Sequence, residues 1–254
     1  MTIEITHASV GFGAVTALDD VSMSSVAGEL VVVIGPNAAG KSTLLRTMAG
    51  LQALDGGEIH LEGREIQRLD VRERARRLCY LPQVPDVVGG FSVADVVGFG
   101  RVAWSGDRQG SGAVGRALEM VGLAGETERR YHDLSVGQRQ RASLARAILQ
   151  LQARERGWML LDEPFSAQDP GEASRLARLL VELRDRGHGL CIVLHDPSIA
   201  WILADRVVML DRGRVLADGP REEILHPDRL REIYGVEFRM GPFGPVPMLV
   251  GSSA

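Results

Sequence analysis

Apolar residues in this chain follow two rhythms. Residues 3–10 and 21–24 alternate apolar and polar positions, predicting antiparallel strands with one solvated face. Leu30-Val31-Val32-Val33-Ile34 is an unbroken apolar run, the signature of a strand buried on both sides. Residues 43–49 then predict a helix. Past the Gly56-Gly57 turn, Glu58-Ile59-His60-Leu61 reads as a strand, and so does Arg77-Leu78-Cys79-Tyr80-Leu81, ended by Pro82. Residues 72–77 are arginine-rich and predict a solvated helix face. From residue 84 to about 156 the pattern turns helical, broken by a flexible loop over 105–112. Strand-like runs return at 158–161, 190–194 and 206–210. Between the first two, Leu176, Leu179, Leu180 and Leu183 recur with a helical period. The tail from Gly241 to Pro247, punctuated by proline, predicts a packed extended arm.

Strands that alternate with helices predict an α/β fold on a mostly parallel sheet. An antiparallel β region precedes it, and a helical subdomain at about 84–156 is inserted. With 254 residues the chain suits one domain, 1–254, whose C-terminal arm covers about 226–254. The net charge of −4 offers no electrostatic case for nucleic acid or anionic lipid as the main ligand. Cys79 and Cys191 lie in apolar contexts and predict reduced core thiols. No apolar run approaches 18 residues, and no leader-like pattern opens the chain, so a membrane role is expected to come through a partner.

The chemistry starts at Lys41, the only lysine among 29 basic residues. It sits in Gly35-Pro36-Asn37-Ala38-Ala39-Gly40-Lys41-Ser42, a phosphate-binding loop pattern between a predicted strand and a predicted helix. There an ammonium fits between β and γ phosphate oxygens, backbone N–H groups wrap the phosphates and the Ser42 hydroxyl ligates Mg²⁺. Thr43 continues the loop into the helix. Met159-Leu160-Leu161-Asp162-Glu163 is an apolar strand delivering two carboxylates, which buried strands do not do for packing. Asp162 is the expected second holder of Mg²⁺ and Glu163 the general base for an attacking water. Leu134-Ser135-Val136-Gly137-Gln138 opens a helix with a hydroxyl and free N–H donors. That suits an anion, although an ordinary serine cap reads the same way.

Together with Gln83 in Leu81-Pro82-Gln83, Leu160-Leu161-Asp162-Glu163-Pro164, Ser166-Ala167-Gln168-Asp169 and Leu194-His195-Asp196, this order resembles the ATP-binding subunit of an ABC transporter. The resemblance covers essentially the whole chain. It implies that Phe12 stacks on adenine, that Gln83 senses Mg²⁺ and couples to the membrane partner, and that His195 holds the γ-phosphate and orients Glu163. Asp169 looks like the acid of the loop that communicates across a dimer. Two subunits would sandwich two ATP molecules, each phosphate loop facing the other's Ser135, Gly137 and Gln138. The Gln152–Gly157 insertion, the Val96–Arg101 segment and the stretch from Glu223 to Val236 are similar to subunits serving haem, iron-chelate and vitamin B12 import. The implied partners are a second copy, a permease dimer and, indirectly, a periplasmic or surface substrate-binding protein, at the cytoplasmic face of the inner membrane. A soluble assembly-factor ATPase is the alternative. Nucleic acid is not expected, because the span from Gln83 to Leu134 is short and lacks heptads.

Four residues depart from the family pattern. Ala38 stands for a glycine and is tolerable if its φ stays negative. Phe12 replaces a tyrosine and keeps the stacking face. Gln168 replaces an apolar residue and is expected to alter the dimer seam. Val136 replaces the first signature glycine, where the expectation is an extended rather than a positive-φ backbone.

Overall fold

A computed structural model describes residues 1–85, 87–104, 112–152 and 154–248. The loop expected at 105–112 lies outside them except for Gly112, as does Ala153 in the insertion. The chain opens with β1 (Thr2–Phe12), β2 (Val15–Val26) and β3 (Leu30–Ile34), then α1 (Lys41–Met48). The helix therefore begins two residues before the periodicity suggested, because the lysine and serine of the loop form its first turn. Next come β4 (Gly56–Leu61), β5 (Arg64–Glu65), α2 (Val71–Ala75) and β6 (Leu78–Leu81). The helical insertion supplies α3 (Val93–Gly98), α4 (Ala113–Met120) and α5 (Val136–Leu151). The chain then returns through β7 (Trp158–Asp162), α6 (Pro170–Asp185), β8 (Gly189–Val193), α7 (Pro197–Leu203) and β9 (Arg206–Asp211). It ends with β10 (Arg214–Pro220), α8 (Arg221–Ile224), α9 (Pro227–Tyr234), β11 (Phe238–Gly241) and β12 (Gly244–Pro247).

Six strands form the central sheet in the order β10-β9-β3-β8-β7-β6, and only β10 runs antiparallel to its neighbour. The N-terminal strands make a separate antiparallel sheet, β2-β1-β4-β5. The unbroken apolar runs follow from what covers the central sheet. Along β3, Leu30, Val32 and Ile34 join the cluster beneath α5 and α6, while Val31 and Val33 join the one around α1 and the small sheet. β7, β8 and β9 divide in the same way, so neither parity can be polar. Cys79 and Cys191 are free and buried, and burial pushes both thiols up to about 12.

The proline-punctuated tail falls in a hairpin, β11 with β12, and the wider 226–254 segment also contains α9. Gly244 holds the hairpin against α7, since a Cβ there would come within 2.7 Å of Trp201. Ser198 Oγ donates to Pro245 O at 2.8 Å. Residues 249–254 lie outside the described part. No helix among the described residues is long and apolar enough to cross a membrane.

Candidate functional site

Four adjacent strands deliver the chemistry at one edge. The phosphate loop leaves the C-terminal end of β3, His195 follows β8, Asp162 and Glu163 end β7, and Gln83 follows β6. In a parallel sheet every strand ends on the same side, so residues distant in sequence converge there. One cleft of about 510 Å³ is lined by Phe12, Asn37 through Thr43, Gln83, Glu163 and His195. Phe12 is half exposed on its rim.

The loop is shaped by glycines that no other residue could replace. A Cβ on Gly35 would sit 1.9 Å from Leu210 O, and one on Gly40 would sit 2.2 Å from Ala17 O. Both have positive φ. Ala38 has positive φ as well, at 61°, contrary to the sequence expectation. It is the third residue of a turn closed by Ala39 N–H to Pro36 O at 3.3 Å, a position that takes positive φ in type II turns. Alanine bears a strain of roughly 1 kcal/mol there. Tyr234, at the end of α9, accepts the Gly35 N–H on its hydroxyl at 3.1 Å and ties the C-terminal segment to the loop.

Lys41 is buried and donates to the carbonyls of Gly35 at 2.8 Å and Pro36 at 2.7 Å. Desolvation lowers its pKa, against the opposing pull of Glu163 and Asp162. Asp162 is buried too, and desolvation pushes its carboxyl up; the Ser42 hydroxyl draws it back, Glu163 pushes it further, and Tyr80 and Lys41 draw it back again. Tyr80 Oη donates to Asp162 Oδ2 at 3.5 Å, while Oδ1 has no hydrogen-bond partner. A buried carboxylate oxygen without a donor, beside the Ser42 hydroxyl, fits a hard cation that takes oxygen ligands. These residues therefore suit Mg²⁺.

Glu163 is held in the left-handed region at φ 50°, unusual for a residue with a side chain. Its N–H donates to Val193 O at 3.1 Å, and its carbonyl accepts from Ser166 Oγ at 3.1 Å. One carboxylate oxygen accepts from Gln83 Nε2 at 2.8 Å and the other lies against His195 Nε2. Two residues from two other motifs thus converge on the carboxylate of a third.

Ser135, Gly137 and Gln138 do not line this cleft. They open α5 on the helical insertion, where Ser135 and Gln138 form a reciprocal cap: Gln138 N–H donates to Ser135 Oγ at 3.2 Å and Ser135 N–H to Gln138 Oε1 at 3.0 Å. Val136 is the first residue of the helix, neither extended as expected nor at positive φ, so the strained alternative falls away. Asp169 caps α6, accepting from Glu172 N–H at 3.0 Å, with Pro170 at the first helical position.

Gln168, which the resemblance links to the dimer seam, has its amide on its own chain, donating to Gly137 O at 3.3 Å and Gln140 Oε1 at 3.0 Å. The sequence assigns no individual role to Gln140, Ser166, Tyr80 or Tyr234, although Ser166 and Tyr234 lie in segments that carry the resemblance. Gln140 left a signal of its own: a polar residue four positions before Leu144, on the face that Leu144 and Ile148 bury.

The family described as ABC transporter matches residues 18–166. The hemin import ATP-binding protein HmuV of Enterobacter cloacae is 39% identical, over 89% of this chain and 87% of that protein. The HmuV of Bradyrhizobium diazoefficiens is 37% identical, over 99% and 95%. Among solved structures, the ATP-binding subunit of an ABC transporter superposes with a TM-score of 0.78 at 25% identity, covering 92% of this chain and 94% of that one. A metal-chelate type ABC transporter in an inward-facing conformation gives a TM-score of 0.79 at 22% identity, covering 98% of both chains.

Proposed function

The chain belongs to the ABC transporter family of ATP-binding subunits, an ATPase family, and from that premise we propose that it powers the import of haem or a related iron chelate. Members of this family dimerise, and in importers they serve a membrane permease. The observation that carries the reading is the convergence of Gln83 and His195 on Glu163 beside the Lys41 loop. Glu163 is assigned as the general base, with Gln83 and His195 fixing its two oxygens toward the γ-phosphate. Lys41 exchanges its carbonyl partners for β and γ phosphate oxygens, Gly35 through Thr43 wrap the phosphates, and Phe12 stacks on the adenine. Mg²⁺, held by Ser42 and Asp162 with Gln83 nearby, neutralises phosphate charge when bound. Ser135, Gly137 and Gln138 serve the nucleotide of a second copy, and Asp169 lies on the loop that meets it.

The subunit then works at the cytoplasmic face of the inner membrane, docked on a permease dimer that receives haem from a periplasmic or surface binding protein. Hemin import is what the relatives' names state, and the similarity extends over most of both chains. The test is Glu163→Gln with ATP and Mg²⁺. Light scattering should show an ATP-dependent dimer, with hydrolysis slowed roughly 100-fold or more. Reconstituted with a permease that co-purifies with it, the wild type should drive hemin uptake into vesicles. A Glu163→Gln protein that stays monomeric and hydrolyses ATP normally would overturn the assignment, and a wild type that captures no permease would favour a soluble assembly factor.

A further inference from the structure

Beyond the residues that touch nucleotide, the start of α5 is wired to Glu163 within one subunit. Gln168 Nε2 has two acceptors, Gly137 O and Gln140 Oε1. Gln140 Nε2 in turn donates to Gln83 O at 2.9 Å and Ser166 Oγ at 3.1 Å. Ser166 Oγ donates in turn to Glu163 O, and Gln83 reaches the Glu163 carboxylate with its side chain. An amide has a donor end and an acceptor end. Each glutamine here must present nitrogen to two oxygens, so neither can flip without losing both bonds. From Gln168 the donations run through Gln140 toward the base, and one further bond reaches back to the Gly137 carbonyl.

Gln140 is only 3% exposed, which leaves little room for water to replace a lost partner. The two backbones at the far end already touch: a Cβ on Gly137 would lie 2.4 Å from Ala167 O. An apolar residue at 168, which the family resemblance leads one to expect, could make neither bond. In this chain it would leave the buried Gln140 oxygen without a donor and free the amide to turn.

We infer that Gln168 is a positioning residue for hydrolysis: it fixes the Gln140 amide, and through it Gln83 and the Ser166 turn that hold Glu163. The inference rests on the role proposed for Glu163.

Steady-state hydrolysis by the full chain tests it with two substitutions. Gln168→Leu should lower kcat about ten-fold, the rate equivalent of one neutral hydrogen bond, and leave the ATP KM within about two-fold. Gln168→Glu keeps the length and loses both N–H groups, so it should fall equally. Both variants should keep their ATP affinity and melt within about 4 °C of wild type, no more than one unpaired buried acceptor costs a chain of this size. Combining Gln168→Leu with Gln140→Met should cost no more turnover than Gln140→Met alone, as expected for members of one chain of contacts. A normal kcat in Gln168→Leu or Gln168→Glu overturns the inference. So does a loss of kcat that arrives with weakened ATP binding and a melting point lowered beyond that range, which would mark packing. A wrong assignment of Glu163 shows separately, as normal turnover in Glu163→Gln; a wrong assignment of Gln168 leaves Glu163→Gln slow.

Discussion

The phosphate loop and the start of α5 are both glycine-bearing helix N-termini, yet the chain finishes one and leaves the other open. Around Lys41 the protein closes the site with its own elements: β3 beneath, Asp162 and Glu163 from β7, His195 after β8, Tyr234 from the far end of the chain. Around Ser135 the helix end is capped by its own Gln138 and touched on one side at Gly137 by Ala167 and Gln168, while Val136 is left about half exposed at its tip. Burial, not motif content, separates a site that one subunit completes from a half-site offered outward. This agrees with the proposal that the α5 end works on a second copy's nucleotide.

The comparison breaks most sharply at Lys41. Lys41→Ala should abolish hydrolysis and strongly weaken ATP binding, because the point charge at the centre of the closed site is lost. Titration with a fluorescent ATP analogue checks this, and tight binding by the variant would contradict it. Gly137→Ala attacks the open half instead. Its new Cβ would press within 2.4 Å of Ala167 O and force the two backbones apart. Turnover should fall about 100-fold, as misplacement of around 1 Å does, while the monomer's ATP affinity stays within two-fold. A variant that loses affinity and turnover together would erase the distinction between the halves.

Smaller effects sharpen it. His188 is buried near the carboxyl-distant edge of the sheet and accepts the Gly157 N–H on Nδ1 at 3.1 Å. Desolvation lowers its pKa from 6.5, and the Arg186 charge adds to this. Nδ1 must be unprotonated to accept that N–H, which acts in the same direction. The unfolded chain therefore binds more protons below about pH 6.5, and stability falls as pH drops through the lowered folded value. Urea unfolding at pH 8 and pH 5 should show this loss, reduced in His188→Asn. Val136→Gly should change least: the residue is an exposed first helical position without strain, so stability should shift by less than about 1 kcal/mol with no gain in rate. A several-fold rise in turnover would mean that the α5 end is held back by its valine.

The local chemistry was legible in the sequence. The phosphate loop, the acid pair after β7 and the alternation of strands and helices depend on backbone shape and on the side-chain period of a strand or helix, which neighbours in sequence set. Ala38 and Val136 show where such reading stops. Their φ angles answer to a closing hydrogen bond and to a helix start, and composition alone does not report either. Only tertiary structure decided that Tyr234 would meet Gly35, that Asp162 would keep a buried oxygen without a donor, and that Gln168 would turn inward to Gly137 and Gln140. Each depends on which side chains the parallel sheet brings within 3 to 4 Å of one another, and in a β/α chain those partners are often more than a hundred residues apart, as Tyr234 and Gly35 are.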